Sequence, residues 1–300
     1  MSSQFSFRGV ATALVTPMLP NGDIDEPALR RLVDYQISNG VHGVVPCGTT
    51  GESATLNHAE HHHVMDVVVS QTAGRVPVII GAGSNATREA ISLTQHARAI
   101  GASAVLSIAP YYNKPTQEGF VEHYTAIAAA VDIPIIVYNV PGRTGSNIAA
   151  ETTLRLADVP GIAGIKEASG NVAQVMEILR NKPKNFFVLS GDDALTLPLM
   201  ALGADGAISV VANEVPRLFS AFVDLCLEEK FVEARTIHAE LLPLMNANFI
   251  ESNPIPVKCA LSMMGMIHDV ARLPLTRMSS DHRFMLRRVL EELQLIGVTL

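Results

Sequence analysis

The lysine at position 166 stands at the end of an apolar segment, where a turn residue would be the ordinary choice. It follows residues 162–165 in the segment GIAGIKEASG, whose small and branched residues suit a buried strand. Such a lysine can extend its ammonium to the surface or pair with a carboxylate such as that of Asp192. A partly desolvated amine can instead attack a carbonyl compound and form an imine. The position of Lys166 alone leaves both interpretations open.

Hydroxyl side chains also stand at the ends of other apolar segments. Tyr112 and Tyr138 supply phenols, and Thr50 supplies an alcohol. Each has an ordinary structural explanation, since tyrosines often keep their hydroxyl at the edge of a core and threonines often occupy turns. An imine makes the adjacent carbon acidic, and that chemistry requires nearby proton donors and acceptors. Together with Lys166, these residues predict a site for carbonyl chemistry.

Two further features suit the binding of carboxylates. Residues 48–53, GTTGES, form a glycine-bounded turn whose backbone N–H groups could surround an anion. Arg143 follows another apolar segment, where its guanidinium could hold a carboxylate through two hydrogen bonds. The alternative interpretations are an ordinary strand-to-helix turn and a surface ion pair.

Eight apolar segments repeat along the chain, and each is followed by a stretch with helical spacing. They lack strict polar alternation, which favours a parallel sheet covered on both faces. In one intervening stretch, Leu29, Leu32, Val33 and Ile37 share a face and Gly40 ends the helix. Eight such units favour a closed (β/α)8 TIM barrel over an open doubly wound sheet. The segments begin at Gly9, Gly43, Val76, Ala102, Ile133, Ile162, Phe186 and Gly203.

The last part of the chain has a different pattern. From about Glu214 onward the strand signals stop and helical spacing dominates, which predicts a barrel over residues 1–224 and a C-terminal helical region over 225–300. No low-complexity linker separates the two. Active sites of such barrels lie at the C-terminal ends of the strands, where the polar residues described above stand.

Composition excludes several classes of protein. The 300 residues are 48% apolar and 17% charged, which suits one large globular core. A net charge of -7 without basic clusters argues against nucleic-acid binding. Cys47, Cys226 and Cys259 are too few and scattered for a disulfide framework or a zinc site. Without a signal sequence or a membrane-spanning apolar run, the chain is predicted to be cytoplasmic, with small molecules as partners and no membrane or nucleic acid.

Six motifs in register resemble the dihydrodipicolinate (4-hydroxy-tetrahydrodipicolinate) synthase family, within the pyruvate-dependent class I aldolases. The motifs are GTTGES, YYNKPTQEGF, YNVPGRTG, GIKEASG, SGDD and ESNPIPVK. The resemblance implies a (β/α)8 barrel, no metal and no organic cofactor. It also implies condensation of pyruvate with L-aspartate 4-semialdehyde to 4-hydroxy-tetrahydrodipicolinate, the first committed step of diaminopimelate and lysine biosynthesis. The match is weaker from about Leu273 to Leu300.

The same resemblance implies the catalytic residues. Lys166 would form the Schiff base with pyruvate, and Tyr138 would relay protons to and from it. Thr50 would link Tyr138 to Tyr112, which would reach the site of a neighbouring subunit. This exchange implies at least a dimer, and the usual arrangement in the family is a homotetramer, a dimer of dimers.

The substrate contacts are also implied by the resemblance. The backbone of Thr49 and Thr50 would hold the carboxylate of pyruvate, and Arg143 would hold that of the semialdehyde. Gly191 and Ile208 would complete the substrate site.

A second ligand is implied by positions that match the L-lysine site of inhibited family members. The residues are Ser53, Ala54, His58, His61, Asn85, Glu89 and Tyr111. They predict feedback inhibition by L-lysine, and the alternative is a set of ordinary polar residues at a subunit interface.

Four other functions compete with this one. A sugar-acid lyase acting on a substrate such as N-acetylneuraminate would share Lys166 and Tyr138, but it would not need the cation of Arg143. The dinucleotide pattern in VIIGAGSNATREA occurs at the third strand without an acidic partner for ribose. Adjacent histidines in EHHHVMD point in different directions on a helix and cannot share a metal ion. A catalytically silent pyruvate sensor or scaffold is disfavoured by the complete set of reactive side chains.

Overall fold

The computed structural model describes residues 5–297, and its centre is a barrel of eight parallel strands. The strand order is β2-β1-β8-β7-β6-β5-β4-β3, and a parallel bridge between Val44 and Val78 joins the two ends of the sheet. The predicted TIM barrel is therefore confirmed. The strands are β1 (Gly9–Ala13), β2 (Gly43–Val45), β3 (Ile79–Gly81), β4 (Ala104–Ile108), β5 (Ile135–Asn139), β6 (Ile162–Glu167), β7 (Phe187–Ser190) and β8 (Gly206–Ser209).

Helices surround the barrel, and three of them, α10 to α12, form the additional C-terminal layer. The predicted division at residue 224 falls inside α9, so the exact domain boundary stays a prediction. The helices are α1 (Glu26–Ser38), α2 (His58–Thr72), α3 (Thr87–Ala99), α4 (Gln117–Ala130), α5 (Pro141–Thr144), α6 (Ala150–Ala157), α7 (Val172–Asn181), α8 (Thr196–Ala201), α9 (Pro216–Leu227), α10 (Phe231–Ala247), α11 (Ile255–Met263) and α12 (Ser280–Glu292).

Helix α1 shows why helical spacing is visible in the sequence. The side chain of Asp25 accepts a hydrogen bond from the Ala28 N–H and so caps the first turn. Leu29 and Val33 are fully buried on the predicted face, and each buried side chain of this size contributes about 1.5–3 kcal/mol. Gly40 follows the helix with a φ of +84°, a conformation that costs glycine little.

The strands are buried on both faces because the barrel has two apolar layers. Along β5, Ile135 and Val137 belong to the layer between strands and helices, whereas Ile136 and Tyr138 belong to the layer inside the barrel. Successive side chains of a strand point to opposite faces. Both faces of β5 therefore meet apolar neighbours, which explains the missing polar alternation.

Strand β6 contains an irregularity that turns its last residues. Ile135 of β5 is paired with Ile162, but Ile136 is paired with Gly164, so Ala163 is an extra residue. Residues two apart share a face in a regular strand. Ala163 faces the inside of the barrel, however, and Ile165 faces outward. Lys166, next along the strand, is consequently turned toward the inside.

The helices give no indication of a membrane-spanning segment. Within residues 5–297, none combines the length and apolar character needed to cross a bilayer.

Candidate active site

Lys166 and Tyr138 meet inside the carboxyl end of the barrel. They are register partners on β6 and β5, and Nζ of Lys166 lies 4.2 Å from the centre of the Tyr138 ring. Both residues are 6% exposed. In residues 5–297 no carboxylate is within ion-pair distance of the amine, and Asp192 Oδ1 instead accepts hydrogen bonds from the N–H groups of Ala194 and Leu195. The amine is thus enclosed without an acidic partner, as a nucleophile requires.

Gly191 and Ile208 shape the space around the lysine. A Cβ atom at Gly191 would lie 2.8 Å from Cε of Lys166 and 2.6 Å from Cβ of Ala168. Only glycine therefore leaves the lysine side chain in its place. Ile208, on β8, is 1% exposed and lines the same cavity.

The cavity above Lys166 has a volume of about 130 Å³. It is open at the carboxyl ends of the strands and combines apolar walls with a few polar groups, as small-molecule sites do. Its lining includes Thr49, Thr50, Tyr138, Arg143, Lys166, Gly191, Asp192, Ile208, Phe249 and Asn253.

The turn after β2 presents free backbone donors to this cavity. The N–H groups of Thr49 and Thr50 donate to no other residue in the described part of the chain. Thr50 is 2% exposed, and its hydroxyl accepts a hydrogen bond of 3.0 Å from Nδ2 of Asn253. Adjacent unpaired N–H groups attract anions, and the binding of a carboxylate by this turn stays a prediction.

Glu52 anchors the same turn to the C-terminal helices. It has a φ of +55°, which costs a non-glycine residue about 1–2 kcal/mol. Its buried carboxylate forms an ion pair with Lys258 on α11 and accepts a hydrogen bond of 3.1 Å from the Arg272 N–H. Burial lowers the pKa of Lys258, and Glu52 opposes that effect. These contacts hold the strained residue in place.

Arg143 lies at the rim, where its Nη2 donates to the backbone oxygen of Asn253 at 3.3 Å. Tyr112 is 89% exposed and has a φ of +72°. In the part of the single chain that is described, Thr50 is hydrogen-bonded to neither Tyr112 nor Tyr138. The proton relay through these three hydroxyls therefore stays a prediction.

A larger cavity of about 510 Å³ adjoins the first one. Thr49, Arg143 and Asn253 line both cavities, so the two sites share walls. Of the seven residues predicted to bind L-lysine, six line this second cavity. These are Ser53, Ala54, His58, His61, Glu89 and Tyr111.

The second cavity is lined by histidines and carboxylates. Burial lowers the pKa of His61, and its Nε2 lies 2.8 Å from the Gly81 oxygen. Glu89 contacts His58 Nε2 at 3.3 Å. The seventh predicted residue, Asn85, lies beside the cavity and donates from Nδ2 to the Tyr111 backbone oxygen at 3.2 Å.

None of the three cysteines is a candidate nucleophile. Cys47, Cys226 and Cys259 are buried, and burial raises the pKa of each thiol. In addition, residues 5–297 contain no group of three or more His, Cys, Asp or Glu side chains arranged to hold a metal ion.

Sequence reasoning missed several residues that hold the site in place. Asn253 and Lys258 lie in the motif ESNPIPVK, whose letters alone indicate no role for either residue. Glu52 is visible in the sequence only as part of a turn. Glu167, a carboxylate directly after the lysine in a buried strand, is a detectable anomaly of the same kind as Lys166.

A barrel that encloses a lysine beside a phenol at the carboxyl ends of its strands defines a lyase of the class I aldolase type. The chain belongs to the Dihydrodipicolinate synthetase family, which it matches over residues 6–293. It is 52% identical over 291 residues to 4-hydroxy-tetrahydrodipicolinate synthase from Syntrophus aciditrophicus, covering 97% of this chain and 100% of that protein.

Solved structures show the same likeness. The chloride-inhibited dihydrodipicolinate synthase from Acinetobacter baumannii complexed with pyruvate has a TM-score of 0.96 at 44% identity, with 97% of this chain and 100% of that chain covered. DHDPS from Cyanidioschyzon merolae with lysine bound has a TM-score of 0.94 at 41% identity, with 97% and 99% covered. The family prediction is therefore confirmed.

Proposed function

We propose that the chain condenses pyruvate with L-aspartate 4-semialdehyde to give 4-hydroxy-tetrahydrodipicolinate. The observation that carries this proposal is the enclosed amine of Lys166 beside Tyr138, in a cavity that Thr49 and Thr50 also line. The pyruvate complex of the Acinetobacter baumannii relative supports pyruvate as the first substrate. The reaction is the opening step of diaminopimelate and lysine biosynthesis.

The chemistry begins at the carbonyl carbon of pyruvate. The neutral amine of Lys166 adds to that carbon, and water leaves as the imine forms. Tyr138 delivers the proton that the departing oxygen requires and then accepts the proton from the adjacent methyl group. The resulting enamine attacks the aldehyde carbon of the second substrate. The amino group of that substrate finally adds to the imine and displaces Lys166, which closes the ring.

Two carboxylates must be held during these steps. Thr49 and Thr50 supply backbone donors for that of pyruvate, and Arg143 supplies a guanidinium at the rim for that of the semialdehyde. Arg143→Ala should therefore weaken use of the semialdehyde while pyruvate still forms its imine. If stopped-flow imine formation with pyruvate fell equally, Arg143 would have a structural role instead.

Borohydride trapping tests the first step directly. Pyruvate and borohydride should attach one reduced adduct to Lys166, located by peptide mass mapping, because an imine is reducible. Lys166→Arg is the matched control, since it keeps a cation but cannot supply a neutral amine at ordinary pH. An adduct on another residue, or none, would refute the mechanism. Release of pyruvate from N-acetylneuraminate would instead favour a sugar-acid lyase.

We further propose that L-lysine binds in the second cavity and inhibits the reaction. Support comes from the cavity's buried His61, its carboxylate Glu89 and the lysine-bound relative from Cyanidioschyzon merolae. Thr49 lines both cavities, so a ligand in one can shift the other, with typical coupling of about 1–3 kcal/mol. Millimolar L-lysine should slow the unmodified chain, and Glu89→Ala should relieve this. Unchanged rates in the unmodified chain would remove the regulatory proposal and leave the catalytic one intact.

Assembly is proposed to be a homotetramer built from dimers. Tyr112 is 89% exposed and Tyr111 is 39% exposed, which suits burial against a second subunit. Analytical ultracentrifugation should show a species of at least dimeric mass. A fully active monomer would contradict the role given to Tyr112. The predicted cytoplasmic location stays a prediction.

A further inference from the structure

Glu167 is a buried carboxylate that the reaction does not use. It follows Lys166 on β6, is 1% exposed and points away from the cavity. Within residues 5–297 it has no cationic partner, and its oxygens accept hydrogen bonds from three amide groups. The donors are Asn139 Nδ2 at 3.0 Å, Gln174 Nε2 at 3.1 Å and the Ser169 N–H at 2.7 Å.

The buried carboxylate of Glu167 is stable only when its hydrogen-bond donors are held in place. Desolvating a carboxylate costs several kcal/mol, and only good geometry with its hydrogen bonds offsets that cost. Asn139, which is fully buried, is fixed in turn because its Oδ1 accepts the Ile148 N–H at 3.0 Å. The amide of Asn139 therefore cannot rotate away from Glu167 without losing a second hydrogen bond.

This contact joins the two strands that carry the reacting side chains. Asn139 and Glu167 are register partners on the outer face of β5 and β6, and the preceding partners are Tyr138 and Lys166 on the inner face. Because the pairs are adjacent along the same ladder, a contact that fixes one pair also fixes the other.

The register that pairs Tyr138 with Lys166 differs from the register at the start of β5 and β6. At the start of the pair Ile135 lies opposite Ile162, and continuing that offset would place Tyr138 opposite Ile165 and turn Lys166 out of the barrel. The extra residue Ala163 shifts the pairing by one position, and a shift of one position reverses the face of every later side chain. A contact at the carboxyl ends of β5 and β6 must therefore favour the shifted register.

We propose that Asn139 and Glu167 are positioning residues, whose hydrogen bond across β5 and β6 holds the shifted register and so aligns the Lys166 amine with the Tyr138 phenol. The proposal rests on the proposed function, because it concerns the alignment of the imine-forming pair. It assigns Asn139 and Glu167 no contact with substrate.

The test compares two variants that each remove one side-chain donor from Glu167. Asn139→Ala removes the contact that crosses the strands. Gln174→Ala is the matched control, because Gln174 lies on α7 and its bond to the same carboxylate does not join β5 to β6. Stopped-flow single-turnover measurements give the rate of imine formation at saturating pyruvate and the pyruvate concentration that half-saturates it.

We expect Asn139→Ala to lower the saturated rate roughly tenfold to a hundredfold, because a displacement of about 1 Å can cost 10²-fold. The half-saturating concentration of pyruvate should stay within about twofold, because the backbone donors proposed to hold its carboxylate lie in the turn after β2 and not on β5 or β6. Gln174→Ala should change neither value by more than about twofold. A general loss of structure would move both values together.

Three results would overturn the proposal. The first is an unchanged saturated rate of imine formation in Asn139→Ala. The second is an equal loss of saturated rate in Gln174→Ala. The third is a loss in Asn139→Ala that appears only together with a rise in the half-saturating pyruvate concentration. If Asn139→Ala does not fold, Asn139→Ser keeps a polar group too short to reach Glu167 and must show the same loss of rate. An unmodified chain that forms no imine would refute the proposed function itself, a result distinct from any failure of the variants.

Discussion

Replacing Lys258 by methionine should strongly destabilise the protein and loosen the turn that carries Thr49 and Thr50. The side chains of Lys258 and Glu52 are 1% and 0% exposed, so Lys258→Met leaves a carboxylate in the interior without its cation. Arg272 donates its backbone N–H to that carboxylate, while its guanidinium forms an ion pair with Glu60. Methionine fills much of the volume of the lost side chain, which limits any cavity.

The expected loss can be worked out in two ways. Removing one partner of a buried ion pair typically costs about 3–5 kcal/mol. Alternatively the stranded carboxyl takes up a proton, which at pH 7 costs an ordinary glutamate about 3.7 kcal/mol because its pKa in model peptides is about 4.3. Protonation sets the upper limit, so we expect a loss of about 3–4 kcal/mol at pH 7 and about 1 kcal/mol at pH 5.

Equilibrium unfolding in urea at one fixed protein concentration would measure this loss at both pH values. Fixed concentration matters because subunit association shifts apparent stability. The double variant Glu52→Gln/Lys258→Met should regain most of the stability, since it removes both charges together. Lys258→Met should also raise the pyruvate concentration that half-saturates imine formation. A loss below about 1 kcal/mol at pH 7, or a loss that does not shrink at pH 5, would refute the reasoning.

Three further changes test other parts of the structure. Gly191→Ala should lower the rate of borohydride-trapped adduct formation at least tenfold, because the new methyl group would displace Cε of Lys166 from a distance of 2.8 Å; an unchanged rate would contradict the steric argument. Tyr138→Phe should lower kcat by about 10²-fold in steady-state assays, as expected for a lost proton donor, and a fall of less than about threefold would exclude that role. Burial raises the pKa of Asp193 to about 6 from 3.8, so the charged form destabilises the fold above pH 6 and this penalty vanishes below pH 3.8. The stability advantage of Asp193→Asn over the unmodified chain should therefore grow by up to about 3 kcal/mol as the pH rises from 4 to 7. A difference in unfolding free energy, measured in urea, that does not change across this pH range would count against the argument.

Local sequence patterns predicted the elements of this protein and the reactive side chains that stand at their ends. Eight apolar segments alternating with helical spacing predicted the barrel, because strand and helix periods are local properties of a chain. The ends of those strands are also local, so the sequence alone assigns Lys166, Tyr138 and the GTTGES turn to one edge of the barrel.

The direction in which Lys166 points, and the contacts that hold the site in place, depend on tertiary contacts. Strict alternation from Ile162 would turn the lysine outward, and the extra residue Ala163 turns it inward. The bulge depends on pairing between two strands, which no periodicity within one strand contains. Similarly, Glu52 meets Lys258 across 206 positions and Thr50 meets Asn253 across 203. Such contacts form only when the closed barrel brings its C-terminal layer over the first turns, so local sequence patterns cannot specify them.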